Sequence, residues 1–418
     1  MSRYYRNLWE DRDNYRMRNE LVALFQTWGW DHKIIVGQSW FALRTKTLQY
    51  NTNTSLASYA DSPSADRFPA LDLVTGERVN LLTGEVMAAP PEIVYRANPA
   101  VDRTQRAGTR SYYANDLVTL VPGRLIVQAG VRYIENIWKV DNRAEPEDSY
   151  ARVPEDDITH SLGVVWHLTP NKAWTLYANR TEAFQPNIQM DHAADDSEPV
   201  PLKSQTGIQY EAGVKYVWRD KFTSLLSWYD IMQNNVAASY AAYTPLPEGG
   251  MSSVRTRWRT IDGIHSRGFE AGFNWRASPA LSVFGGYAYT HTVNEDKETG
   301  GGRHYRVPLH AVSLFGRYAV KRGPLAGLSF NCGFVWRDIT LPQDRGGDPA
   351  QRPMWTVPPY LSIDLGATYA VKLSKKVRAT LSARAANITD HLNYLNTNNL
   401  YTSITAPRTF TLGAGLSF

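Results

Sequence analysis

The chain of 418 residues holds a single cysteine, Cys332, so it can form no internal disulfide and no cluster of thiolates around a metal. No stretch approaches the roughly 20 consecutive apolar residues of a membrane-spanning helix, and helical periodicity is scarce throughout. The first residues, Met1-Ser2-Arg3-Tyr4-Tyr5-Arg6-Asn7, lack the apolar core of a secretory signal peptide. Charge of one sign is nowhere concentrated. The 45 basic and 40 acidic residues leave a net charge of +5 spread along the sequence, so no nucleic-acid partner is expected. There is no His-Glu-x-x-His, no phosphate-binding glycine loop and no nucleophile elbow. Hence no catalytic residue, metal ligand or cofactor is assigned, and the chain does not read as an enzyme.

What is plentiful is aromatic surface, with 13 Trp, 24 Tyr and 13 Phe, tilted toward the rings that carry a polar tip and favour interfaces. Two-residue alternation recurs from end to end. Ile208, Tyr210, Ala212, Val214, Tyr216 and Trp218 interleave with Gln209, Glu211, Gly213 and Lys215. The stretches 125–133 and 361–369 repeat the pattern, and so does the C-terminus, where Phe410, Leu412, Ala414, Leu416 and Phe418 alternate with Thr411, Gly413, Gly415 and Ser417. Such alternation builds strands with one apolar and one polar face, as in a soluble sandwich or a membrane barrel.

Loop length separates the two. Strands are expected at 3–10, 16–28, 33–48, 108–121, 124–140, 157–168, 173–184, 206–218, 221–235, 257–276, 281–293, 305–320, 325–338, 360–372, 376–390 and 406–418, about 16 in all. From the second connection onward, tight turns such as Pro122-Gly123, Arg219-Asp220 and Ala277-Ser278-Pro279 alternate with long loops, including 49–107, 185–205, 236–256 and 339–359. In an up-and-down meander alternate connections share one end of the sheet, so every tight turn lies at one end and every long loop at the other. Short periplasmic turns with long extracellular loops are the plan of an outer-membrane barrel. A propeller or sandwich has no reason to sort its loops by parity. The expected fold is therefore all-β, a transmembrane antiparallel up-and-down β-barrel of the Gram-negative outer membrane. Lys215, Glu211, Glu270, Asp364, Arg378 and Arg384 should face the lumen, because a cationic side chain on the lipid face costs roughly 2–4 kcal/mol at mid-bilayer. Trp218, Trp228, Trp258, Trp275, Tyr369 and Tyr216 should form interfacial girdles.

From about residue 174 onward the sequence resembles the barrel of TonB-dependent siderophore receptors. The resemblance rests on Tyr177-Ala178-Asn179-Arg180-Thr181-Glu182-Ala183-Phe184-Gln185-Pro186, Tyr210-Glu211-Ala212-Gly213-Val214-Lys215-Tyr216 and Ser266-Arg267-Gly268-Phe269-Glu270. It continues in Gly286 to Thr290, Val307 to His310, Asn387-Ile388-Thr389-Asp390 with Tyr394, and Pro407 to Leu412. Residues 100–173 match more loosely. The terminal Phe418, with Phe410, Leu412 and Leu416 at alternate positions before it, resembles the signal read by the barrel assembly machinery.

The resemblance implies uptake of a ferric siderophore across the outer membrane, gated by a plug and driven by the TonB–ExbB–ExbD complex. Receptors of this kind have 22-stranded barrels with a plugged lumen. Residues 1–418 are accordingly expected to be the C-terminal portion of such a barrel, without plug or signal peptide, and inactive as a gated transporter by themselves. Carriage of another nutrient, such as a cobalamin, a sugar or a peptide, and a general porin are the alternatives. For ligand contact, Tyr240, Tyr243, Trp258 and Trp355 sit in or beside long loops where rings could stack, and Arg255, Arg257 and Arg259 could attract an anionic ferric complex. The competing reading of these residues, a girdle in contact with outer-leaflet phosphate, weighs equally. Asp191, Asp195, Asp196 and Glu198 lack the spacing of a calcium loop and read as solvated loop.

Overall fold

A computed structural model describes residues 6–51, 69–71, 78–80, 98–144, 149–187, 190–191, 200–242, 255–295, 302–342, 356–374, 377–395 and 403–418. They are built from strands, and among them no helix is long and apolar enough to cross a membrane. Fifteen long strands occur in chain order: β1 (Arg6–Thr27), β2 (Trp30–Asn51), β3 (Val101–Val121), β4 (Leu125–Asn142), β5 (Tyr150–His167), β6 (Trp174–Gln185), β7 (Gln205–Trp218), β8 (Phe222–Ala242), β9 (Arg255–Arg276), β10 (Leu281–Asn294), β11 (His310–Ala319), β12 (Leu328–Arg337), β13 (Tyr360–Lys372), β14 (Arg378–Ala386) and β15 (Thr409–Ser417). From β5 to β15 each strand pairs antiparallel with its successor. Short ribbons stand in three of the long connections, 69–71 with 78–80, 190–191 with 200–201 and 394–395 with 403–404.

Fifteen long strands among the described residues agree with the expectation of about 16, with one difference in detail. The strands placed at 3–10 and 16–28 are one strand, because Asp11-Arg12-Asp13-Asn14 continue the extended backbone instead of turning. Their polarity is that of a strand wetted on both faces. Arg12 pairs with Glu10 at 2.5 Å, and Asp13 lies 3.8 Å from Arg44 on β2. Strands β8 and β9 likewise run further than expected, to 21 and 22 residues, whereas about 9–11 tilted residues cross a bilayer. Their outer halves project beyond the membrane as a paired ribbon and take up much of the loop expected at 236–256.

The described chain forms two compact units. One comprises residues 1–20, 37–112 and 133–156, the halves of β1 to β5 remote from their tight turns. The other comprises 21–36, 113–132 and 157–418, the turn-proximal halves together with every later strand.

The tight turns follow from backbone chemistry. Trp28 and Gly29 both hold positive φ, 52° and 84°, the pair of values a two-residue hairpin turn needs to match strand twist. Gly123, Lys172 and Arg219 each supply a single residue of positive φ to later tight turns. Gly327 has φ 99°, and a Cβ there would stand 2.3 Å from the Ala370 carbonyl oxygen, so only glycine fits.

Candidate functional site

The register places side chains on two faces with opposite chemistry. On one face of the second unit lie Trp166, Leu176, Val214, Leu226 and Ala271, linked strand to strand by direct pairing. This face is apolar and open: Trp166, Trp174, Trp218, Trp228, Trp275, Leu314, Phe330, Leu365 and Leu381 are all exposed on it. In a soluble protein so broad an apolar surface would be an aggregation site. Near the tight turns its rings touch in series, Trp174 to Tyr216 at 4.4 Å, Tyr216 to Phe222 at 6.2 Å and Phe222 to Phe273 at 6.4 Å, which makes an aromatic belt. Trp218, Trp228, Trp275, Tyr369 and Tyr216 stand on this face as expected, while the side chain of Trp258 lies outside the described residues.

The other face is hydrogen-bonded. The Tyr177 hydroxyl donates to Glu211 at 2.5 Å, Gln209 donates to the same carboxylate at 3.1 Å, and Arg384 pairs with Asp364 at 2.7 Å. Tyrosine rings lie over glycines here. A Cβ on Gly213 would meet the Tyr177 ring at 2.6 Å, and one on Gly268 would meet the Tyr229 hydroxyl at 2.8 Å and the Tyr289 carbonyl oxygen at 1.9 Å. Glu211, Lys215, Glu270, Asp364, Arg378 and Arg384 all belong to this polar face, by the same parity.

Above the apolar band, amides that are buried or half-buried tie the strand ends together. Gln205 donates to Asn187 at 2.9 Å, Gln233 to Gln205 at 2.8 Å, and Asn187 and Asn235 reach the carbonyls of Asn235 and Ser204 at 3.0 Å each. This knot was missed by sequence reasoning; Asn and Gln at strand ends carry no periodicity that would reveal their partners. The Asn387-Ile388-Thr389-Asp390 motif is a turn of the same kind. Asn387 accepts from His391 N at 3.1 Å and donates to His391 O at 2.9 Å, while Asp390 accepts from Arg408 N at 2.8 Å. Asn393, almost wholly buried, bonds both backbone groups of Leu361 at 2.7 Å.

Ion pairs dress the outer ends of β3 and β4. The Arg143 guanidinium, which donates to Asp102, holds that carboxyl below its usual range, and Lys139 and then Arg106 do so for Asp141. Burial pushes the His304 imidazole below its ordinary value, and its Nδ1 lies 2.7 Å from Asn294 Oδ1. His310 bonds the Tyr287 hydroxyl at 2.8 Å. Among the described residues no group of three His, Cys, Asp or Glu is arranged to hold a metal.

Of the expected ligand-contact residues, backbone register brings five, Tyr240, Arg255, Arg257, Trp258 and Arg259, to the projecting ribbon of β8 and β9. Tyr240 pairs with Arg257, Ser239 with Trp258 and Ala242 with Arg255. Their side chains, together with Tyr243, Trp355, Asp195, Asp196 and Glu198, lie outside the described residues. Phe410, Leu412 and Leu416 occupy one exposed face of β15, and Phe418, 93% exposed, follows directly after the strand.

An antiparallel meander with one apolar, ring-belted face, one hydrogen-bonded face and sorted loops is a β-barrel protein of the Gram-negative outer membrane. Residues 2–388 match the family described as TonB dependent receptor-like, beta-barrel, and the chain belongs to that family. It is 25% identical over 287 residues to the ferric-pyoverdine 358 receptor of Pseudomonas putida, which covers 67% of this chain and 31% of that protein. Over 224 residues it is 29% identical to the ferrichrome outer membrane transporter/phage receptor of Escherichia coli K12, covering 53% of this chain and 26% of the relative. The crystal structure of the ferric preacinetobactin receptor of Acinetobacter baumannii superposes with a TM-score of 0.73 at 15% identity, over 99% of this chain and 55% of that one. The chain thus spans about a third or less of these curated relatives and about half of the solved structure.

Proposed function

We propose that this barrel serves a receptor that takes up ferric siderophores across the outer membrane, with energy delivered by the TonB–ExbB–ExbD complex through a plug domain. The observation that carries the reading is the family membership of residues 2–388 together with relatives named for ferric-pyoverdine and ferrichrome. We further propose that residues 1–418 are the C-terminal portion of that barrel, since they span only about a third or less of those relatives; reading the gene upstream of Met1 tests this. On this reading the paired outer ends of β8 and β9, with Tyr240 opposite Arg257 and Arg255 and Trp258 alongside, join Tyr243 and Trp355 in gripping the ferric complex by stacking and charge. Phe410, Leu412, Leu416 and Phe418 then present β15 to the barrel assembly machinery.

The deciding experiment supplies a panel of labelled ferric siderophores to a receptor-deficient strain expressing the full-length receptor, with and without TonB. Saturable, TonB-dependent accumulation of at least one is expected. Accumulation of no ferric ligand, alongside TonB-dependent uptake of a cobalamin, sugar or peptide, would move the receptor to another nutrient, and TonB-independent leakage would make it a porin.

A further inference from the structure

Three histidines touch carboxylates among the described residues: His32 with Asp116, His160 with Glu182 and His265 with Asp230. Of the three, His32 alone carries a hydroxyl on its other ring nitrogen. Thr27 Oγ1 lies 2.8 Å from His32 Nε2, and His32 Nδ1 lies 2.8 Å from Asp116 Oδ2. An ionised carboxylate can only accept, so Nδ1 donates to Asp116, and the Nε2 lone pair of a neutral imidazole then accepts from the Thr27 hydroxyl. Hydroxyl, imidazole and carboxylate in series at these distances are the arrangement of a nucleophile, its general base and the group that orients the base. No motif in the sequence announces it, because Asp116 stands 84 positions from His32.

The fold holds the three groups still and sets where they point. Thr27 ends β1 and His32 is the third residue of β2, across the tight turn of Trp28 and Gly29. The Phe25 ring stacks on the imidazole at 5.0 Å and 2° between planes, which fixes the plane of the base. On β3, Asn115 accepts from Gln128, which also donates to Ser161 at 2.9 Å, and Ser161 pairs with Thr181 on the face of Tyr177. Asn115 therefore belongs to the polar face, and Asp116, the next residue, points to the opposite, lipid-side face with His32 and Thr27. Both hairpin residues sit at the tight-turn rim, the level of the aromatic belt, where lipid headgroups give way to their acyl esters. The side chains of His32 and Asp116 are 14% and 29% exposed, sheltered but within reach. Asp116 Oδ1 is buried with no hydrogen-bond partner, an oxygen for which a network that merely pinned the hairpin would have no use.

We propose that Thr27, His32 and Asp116 hydrolyse an acyl ester of a glycerophospholipid in the leaflet beside the tight turns. Thr27 Oγ1 attacks the ester carbonyl carbon and passes its proton to His32 Nε2. As the tetrahedral adduct collapses, the bond from that carbon to the glycerol oxygen breaks and the proton goes to the leaving alkoxide, giving a lysophospholipid and an acyl-threonine. Water, with His32 again as base, then frees the fatty acid and restores the threonine. Asp116 is a positioning residue that fixes the tautomer of the ring. The inference stands on the barrel fold and does not depend on which nutrient the receptor carries. The test uses the full-length receptor, purified from cells lacking their own outer-membrane lipases, in vesicles of phosphatidylethanolamine and phosphatidylglycerol labelled on an acyl chain. Labelled fatty acid should be released at least about a hundredfold faster than from receptor-free vesicles. His32→Gln and Thr27→Val should remove that release, Thr27→Ser should keep it, and Asp116→Asn should lower kcat at least about a hundredfold with KM unchanged. Thr175→Val, which deletes the hydroxyl 2.9 Å from His167 Nδ1 on the polar face, should leave it intact. Quenching the unaltered receptor during turnover and mapping its peptides by mass spectrometry should place the acyl group on Thr27, a reading for which no variant has to fold. No release by the unaltered receptor, an acyl group on another residue, or a folded Thr27→Val receptor that keeps the rate would overturn the proposal.

Discussion

Neighbouring leucines on β8 give a direct trial of the two faces. Leu225 and Leu226 are 41% and 50% exposed, so a water-soluble sheet would accept arginine at either for nearly the same small cost. The register separates them. Leu226 pairs with Val214 and Ala271 on the apolar face, and Leu225 pairs with Lys215 and Gly272 on the polar one. Leu226 stands four residues from the start of the strand, about 10 Å up at a rise of about 3.3 Å and a tilt of about 40°, close to the middle of a band about 25 Å tall. Leu226→Arg should therefore destabilise the folded receptor by about 2–4 kcal/mol. Leu225→Arg meets water and one like charge, and should cost less than about 1 kcal/mol. Urea unfolding of the full-length receptor in lipid vesicles, followed by tryptophan fluorescence, measures both. Equal losses, or a larger loss at Leu225, would refute the assignment of faces.

Other outcomes follow from the same framework. With Cys332 replaced by alanine, cysteines at Ser197 and Gly249 of the full-length receptor should label in intact cells, and one at Ser278 should label only after rupture; the reverse pattern would invert the topology. Replacing Tyr240, Tyr243 and Trp258 together by alanine should weaken ferric-ligand binding, each contact contributing about 0.5–2 kcal/mol, and unchanged affinity with normal surface expression would return those rings to the girdle. Gly268→Ala forces a Cβ against the Tyr289 carbonyl and should cost about 1–3 kcal/mol, whereas Gly415→Ala, with nothing within 4 Å, should cost close to nothing. For His304 the folded value lies below the unfolded one. Its burial is therefore without penalty at neutral pH and becomes destabilising as pH falls through the unfolded value of about 6.5. Amide protection factors at residues 302–306, which are corrected for the intrinsic pH dependence of exchange, should fall between pH 7.5 and 5.5 and lose that dependence in His304→Asn.

Several levels of this protein were legible in its sequence because they depend on local period. Alternation such as Ile208 to Trp218 dictates which side chains share a face whatever the strand pairs with, and the parity of loop lengths dictates which ends share a side of the membrane. The faces of Glu211, Lys215, Asp364 and Arg384 were readable for that reason. Strand ends were not. Asp11 to Asn14 look like a turn in any local window and are held extended by the partners of β1, and the outer halves of β8 and β9 exist because each supplies the other's backbone hydrogen bonds beyond the bilayer. The amide knot of Asn187, Gln205, Gln233 and Asn235 joins residues up to 48 positions apart, and polar residues at strand ends leave no pattern in one dimension that names their partners. The row of directly paired residues Arg180, Tyr210, Asp230, Arg267 and His291, on the same face as Trp228, is the plainest case. Its five residues are scattered over 111 positions and become neighbours only through the register of four strand pairs, a long-range quantity that hydrogen-bond geometry sets and that alternation alone leaves open.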